Sequence, residues 1–161
     1  MPVTDSRQTV SVLPIATLGI ESVGESPNSS SRKRVLVVED NQHAAHLLEF
    51  MLKRAGYDVL LAKDGREAQA ALQSPEPADL IVLDLMLPYV SGYQILIDAG
   101  NSEAWRDVPV IVVTGRTLEM DAVRALDMGA ADFVRKPFQP DELLARIRRT
   151  LQATSADGVA A

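Results

Sequence analysis

Residues 80–93 read LIVLDLMLPYVSGY, and this stretch decides the fold. LIVL (80–83) is apolar at every position. A strand with one wet face alternates apolar and polar residues; a strand covered by helices on both faces does not. The run ends at Asp84, and Tyr89 and Tyr93 flank the loop that follows, read as packing rather than chemistry. VLVV (35–38) and VIVV (110–113) have the same continuous character. The strand candidates are therefore Val35–Val38, Asp58–Ala62, Leu80–Leu83, Val110–Val113 and Asp132–Val134.

Helical spacing fills the gaps between them. Leu47, Leu48, Met51 and Leu52 repeat on one face, and Gly56 ends that helix. Ala68, Ala71 and Leu72 mark a second helix, and Tyr93, Ile95, Leu96 and Ile97 a third. Leu118, Val123, Leu126 and Met128 mark a fourth, ended by Gly129. The fifth opens on Pro140, Asp141 and Glu142, which suit a first turn, and continues through Leu143, Leu144, Ile147 and Leu151. Five strand–helix units with short links predict an α/β fold: a doubly wound five-stranded parallel sheet with five helices. In such sheets the site lies beyond the carboxyl ends of the strands.

The chain has 161 residues, a formal charge of −6 and no cysteine. That excludes disulfide scaffolds, thiolate metal sites and cysteine nucleophiles. The acidic balance argues against direct nucleic-acid binding. No apolar run approaches the ~18 residues of a membrane span. The N-terminus lacks a basic stretch leading into an apolar block, so the cytoplasm is the expected compartment. The first 31 residues hold seven serines, three prolines and no aromatic residue. Residues 1–32 are expected to be a disordered extension, although VSVLPIATLGI within them is apolar enough to dock. The folded domain is expected over 33–152, followed by a flexible tail at 153–161.

Four of the strands deliver polar side chains to one rim: Glu39 and Asp40 after the first, Asp84 after the third, Thr114 after the fourth and Lys136 after the fifth. Taken singly, each has a plainer role as a cap, a surface lysine or a strand-end hydroxyl. Together, each ending a separate strand, they form a constellation. Three neighbouring carboxylates repel one another. A hard divalent cation such as Mg²⁺ removes the conflict. A cation, an ammonium and a hydroxyl then suit a phosphoryl group, with a carboxylate as nucleophile. Asp84, on the central strand, is the best candidate; Glu39 and Asp40 are better placed to hold the ion.

The segments VLVVEDN (35–41), LIVLDLMLPYVSGY (80–93), VIVVTG (110–115) and GAADFVRKPF (129–138) resemble the receiver domain of two-component response regulators. The resemblance spans about 33–152. It implies a flavodoxin-like sheet of order 2-1-3-4-5. It implies that Asp84 is the phosphoacceptor, Asp40 a direct Mg²⁺ ligand and Glu39 its water-mediated helper, with the backbone carbonyl of Met86 completing the protein's ligands. Thr114 would bind a phosphoryl oxygen and Lys136 would pair with the group. Thr114 and Phe133 would be the switch pair, the Lys136–Pro137 bond would be cis, and Arg116 would tune dephosphorylation. The donor would be a histidine kinase or a histidine phosphotransfer protein. Such a chain is a phosphoacceptor regulator, not an enzyme beyond phosphotransfer to itself and autodephosphorylation.

QPDELLARIRRTL (139–151) is similar to the last helix of receivers that precede a DNA-binding domain. Asp127, Asp132, Glu142, Arg146 and Arg148 match charged positions of a possible homodimer face on the fourth helix, fifth strand and fifth helix. Ala122 and Ala131 depart from that pattern. Ten residues follow Leu151, so a stand-alone regulator is the expectation. The alternatives are the receiver part of a DNA-binding transcriptional regulator and a phosphate-independent interaction domain. His43 and His46, three apart, have a spacing that suits a transition metal but read as solvated helix residues. Trp105 reads as partly exposed packing. A flavodoxin-like cofactor site needs a phosphate cradle where Glu39-Asp40-Asn41 stands. No GxxxxGK[ST] loop is present. An aspartyl-phosphate phosphatase would want a second aspartate where Met86 stands.

Overall fold

The computed structural model describes residues 31–115 and 119–158. Within them the elements run β1 (Arg34–Val38), α1 (Gln42–Arg54), β2 (Asp58–Ala62), α2 (Gly65–Ala71), β3 (Leu80–Leu83), α3 (Gly92–Asn101), β4 (Val110–Thr114), α4 (Glu119–Asp127), β5 (Asp132–Arg135) and α5 (Pro140–Asp157). The strands form one parallel sheet in the order β2-β1-β3-β4-β5. This is the expected fold class and strand order.

The continuous apolar runs are explained by two separate cores. Leu36, Val38, Ile81, Leu83 and Val112 point to one face, where Ala68, Ile95, Leu96 and Ala125 of α2, α3 and α4 meet them. Val35, Val37, Leu80, Val82, Ile111 and Val113 point to the other, against Leu48 and Leu52 of α1 and Leu143 and Ile147 of α5. Successive residues of a strand face opposite ways, so three strands buried on both sides are apolar throughout, apart from Arg34 opening β1 and Thr114 closing β4. The outer strand β2 is different. It alternates, with Asp58 and Leu60 exposed and Val59 and Leu61 half-buried, as an edge strand does.

Local chemistry fixes the ends. Asn41 caps α1, its side chain accepting from the Ala44 N–H, and Gly56 leaves that helix at φ +93°. That conformation favours glycine. Asp64 caps α2 by accepting from the Glu67 N–H, while the Glu67 carboxylate accepts from the Lys63 N–H. The first bond satisfies a donor that the helix leaves open, and the second ties the chain entering the helix to its first turn.

Three expectations need correction. First, α5 runs past Gln152 to Asp157, so residues 153–157 are helix and not tail. The Thr154 and Ser155 hydroxyls donate to carbonyls one turn back, at 3.1 and 2.9 Å. They are thereby satisfied without breaking the helix. Second, Trp105 is buried, with 1% of its surface exposed. Its indole N–H donates to the Ser74 carbonyl at 2.9 Å, and that partner removes the penalty of burying it. Third, Val123 and Leu126 of α4 face solvent, and Asp121 and Ala125 take the buried positions. The expectations placed on residues 1–30, on Leu118 and on Arg116 lie outside the described residues.

Candidate functional site

Parallel strands end together, and that is what builds the site. Glu39 follows β1, its N–H donating to the Ala62 carbonyl of β2. Asp84 follows β3, its N–H donating to the Val38 carbonyl of β1. Thr114 closes β4, and its carbonyl accepts from the Lys136 N–H just after β5. The backbone ladder thus continues one residue beyond the strands and sets all these side chains at one edge.

The side chains meet around Asp84. One carboxylate oxygen, Oδ1, accepts from the Thr114 hydroxyl at 2.9 Å and from the Met86 N–H at 2.9 Å. The other, Oδ2, accepts from Lys136 Nζ at 2.8 Å. Lys136 Nζ also reaches Glu39 Oε2 at 2.5 Å, a contact that sequence reasoning did not anticipate. Glu39 Oε1 accepts from the Asn41 N–H. Glu39, Asp84 and Thr114 are buried, while Asp40 is exposed. The Lys136–Pro137 bond is cis.

Burial and charge oppose each other here. Burial pushes the Glu39 carboxyl above its ordinary range, against the lowering pull of Lys136 and the Asn41 N–H. Burial works against the Lys136 charge too, but its bonds to Asp84 and Glu39 outweigh that and hold its ammonium above the ordinary lysine value. Lys136 therefore stays cationic.

The donor set fits a hard divalent ion. Glu39, Asp40 and Asp84 each offer an oxygen, all within 4.8 Å of one another. Oxygens on opposite sides of a Mg²⁺ octahedron stand about 4.2 Å apart, so a small closing movement suffices. Three carboxylates facing one ammonium leave two negative charges, which one such ion balances. His43 and His46 are exposed on α1 and belong to no such group among the described residues.

The remaining expected residues fall nearby. The Met86 side chain is exposed while its backbone N–H binds Asp84. Phe133, half-buried on β5, pairs in register with Val112 and packs on the α2–α3–α4 core. One buried polar residue was missed. Asp121, in the first turn of α4, accepts from the Tyr93 hydroxyl of α3 at 2.8 Å. In sequence it reads only as an ordinary helix-start acid.

A family profile described as the response regulator receiver domain matches residues 35–148. The chain is 41% identical over 123 residues to the phosphate regulon transcriptional regulatory protein PhoB of Escherichia coli, covering 76% of this chain and 53% of that protein. It is 38% identical over 120 residues to the alkaline phosphatase synthesis transcriptional regulatory protein PhoP of Bacillus subtilis, covering 74% and 49%. It thus spans about half the length of these curated relatives. Among solved structures, a CheY-like receiver domain protein from Methanospirillum hungatei superposes with a TM-score of 0.74 at 28% identity, over 79% of this chain and 99% of that one. The receiver domain of the sensor histidine kinase PA1611 from Pseudomonas aeruginosa, solved with a magnesium ion coordinated in its active site cleft, superposes at 0.65 with 34% identity, over 76% and 97%. None of the described helices is long and apolar enough to cross a membrane. With the receiver strand order, an acidic rim at the strand ends and the profile match over most of its length, the chain belongs to the response regulator receiver domains of two-component systems.

Proposed function

We propose that this chain is a phosphorylation-dependent signalling switch whose phosphoacceptor is Asp84, loaded by a histidine kinase or a histidine phosphotransfer protein. The observation that carries this reading is the pair of contacts on one carboxylate: the Thr114 hydroxyl on Oδ1 and the Lys136 ammonium on Oδ2. As an Asp84 oxygen bonds to phosphorus, the bond from phosphorus to the donor's histidine nitrogen breaks. Lys136 stabilises the charge gathering on the phosphoryl oxygens. Glu39, Asp40, Asp84 and the Met86 carbonyl would hold Mg²⁺, which supplies further positive charge beside the transferring group. The magnesium in the cleft of the Pseudomonas receiver supports that choice of ion.

Thr114 then turns its hydroxyl from Asp84 to a phosphoryl oxygen. Phe133 rotates into the space so vacated, and the surface of α4, β5 and α5 changes. On this reading the protein is a cytoplasmic phosphoacceptor regulator, with phosphotransfer to itself and autodephosphorylation as its only chemistry. The test is to incubate the protein and its Asp84→Asn variant with a small phosphodonor and Mg²⁺, then measure intact mass. The unaltered protein should gain one phosphoryl group and the variant none; continued labelling of the variant would refute the assignment.

A second reading is favoured by the relatives, both described as transcriptional regulatory proteins. As the receiver of a DNA-binding regulator, the domain would pair with a second copy through α4, β5 and α5. Arg146 joins Asp132 at 2.9 Å and Glu142 at 2.8 Å, and Arg149 joins Asp132 at 3.2 Å, all within one chain. Pairing would exchange these for partners across the dimer, at small net gain because exposed ion pairs contribute only about 0–1 kcal/mol each. Sedimentation with and without a phosphoryl mimic decides: a monomer under both conditions rejects the pairing.

A further inference from the structure

The loop from Met86 to Ser91 connects Asp84 to α3 and is held from an unexpected side. Tyr89, at its tip, has φ +69°, in the left-handed region that a residue bearing a side chain adopts at a cost. Tyr89 is also exposed, so burial does not offset that cost. Two contacts from α2 hold the loop instead. The Arg66 guanidinium lies over the Tyr89 ring, 4.0 Å from its centroid. Beneath the next residue, Gly65 leaves no room for a side chain: a Cβ there would fall on the Val90 carbonyl and stand 2.5 Å from the Val90 Cβ. The Gly65 N–H also points to the Pro88 carbonyl. At the other end of the same loop, the Met86 N–H donates to Asp84 Oδ1.

We infer that Arg66 and Tyr89 are positioning residues for the cation site: their stack clamps this loop so that Met86 keeps its N–H on Asp84 and its carbonyl available to the divalent ion. This rests on the reading of Glu39, Asp40, Asp84 and the Met86 carbonyl as the ion's ligands. Neither residue touches the ion. Without the stack, Tyr89 leaves its unfavourable conformation, and the loop must be reordered each time the ion binds. Affinity then falls by the fraction of molecules with the loop in place.

The test uses calorimetric Mg²⁺ titration and amide hydrogen exchange of Met86 in the metal-free protein. An exposed cation–π contact corresponds to about a two- to fivefold effect. Arg66→Ala and Tyr89→Leu should each weaken Mg²⁺ binding by about that factor and speed Met86 exchange comparably. Tyr89→Phe keeps the ring and should bind as the unaltered protein does. The double variant Arg66→Ala/Tyr89→Leu should be no weaker than either single one, because both remove the same contact. Urea midpoints should stay together, which separates positioning from a general loss of stability. Unchanged affinity and exchange in Arg66→Ala, or additive losses in the double variant, would overturn the clamp while leaving the cation site intact. Failure of the unaltered protein to bind Mg²⁺ would sink the reading beneath it and the clamp with it.

Discussion

Replacing Lys136 by methionine tests the electrostatics of the site, because methionine keeps most of the stem and removes the charge. Lys136 makes two charge-assisted bonds, to Asp84 at 2.8 Å and to Glu39 at 2.5 Å. Deleting one partner of a buried pair costs about 3–5 kcal/mol. Here the lysine side chain is 23% exposed and Asp40 faces solvent, so water relieves part of the penalty. The expected loss is about 2–3 kcal/mol in the presence of a chelator. The same substitution should tighten Mg²⁺ binding about tenfold or more, because the ammonium and the ion compete for the same oxygens and repel each other. Mg²⁺ at a hundred times its Kd then restores about 2.7 kcal/mol by mass action. Urea unfolding with chelator and with Mg²⁺, alongside calorimetric titration, measures both effects. A variant as stable as the unaltered protein in chelator, with unchanged or weaker Mg²⁺ binding, would refute the account of Lys136 as the site's resident counter-charge.

Other consequences are open to simple measurement. Thr114→Val removes the hydroxyl that donates to Asp84 Oδ1 in a fully buried position; it should lower unfolding stability by about 1–2 kcal/mol and slow labelling by a small phosphodonor. Gly92→Ala would drive a Cβ onto the Asp84 carbonyl and to 2.5 Å from the Leu85 Cα. Backbone must then shift, at a cost of about 1–3 kcal/mol in urea unfolding, with weaker Mg²⁺ binding. The raised Glu39 pKa sets a pH dependence. Between the ordinary value of 4.5 and the raised one, the folded protein holds more protons than the unfolded chain. The Glu39 contribution to metal-free stability therefore grows as pH falls through that window. Mg²⁺ affinity should move the opposite way, weakening as Glu39 protonates. Titrations at several pH values would show both slopes.

The fold was legible because burial on both faces leaves a mark that composition cannot hide: VLVV, LIVL and VIVV have no polar position to spare. The rim was legible for a related reason. A polar residue that ends such a run needs a polar partner, and parallel topology brings the ends of these three runs together with Lys136 after β5. What stayed hidden depends on partners distant in sequence. Asp121 is buried because Tyr93, 28 residues earlier, offers its hydroxyl, and nothing near Asp121 announces this. The stripe of Val123 and Leu126 has the spacing of a core face yet looks outward, since spacing says that a face exists but not which way it points. The second partner of Lys136 is Glu39, 97 residues away. The extra turns of α5 rest on hydroxyls that satisfy themselves, in a segment whose small polar residues read as a frayed end.

Trp105 is the sole tryptophan of the chain, and its seat carries a practical consequence. It lies just ahead of β4, by the strands' amino ends, fully enclosed and bonded to Ser74, whereas the acidic rim lies at their carboxyl ends. Its emission should be blue-shifted in the folded protein and move to the red only when the whole domain opens. The molecule thus contains an optical gauge of unfolding that is blind to what happens around Asp84, so fluorescence melts follow integrity and occupancy of the rim must be read by other means.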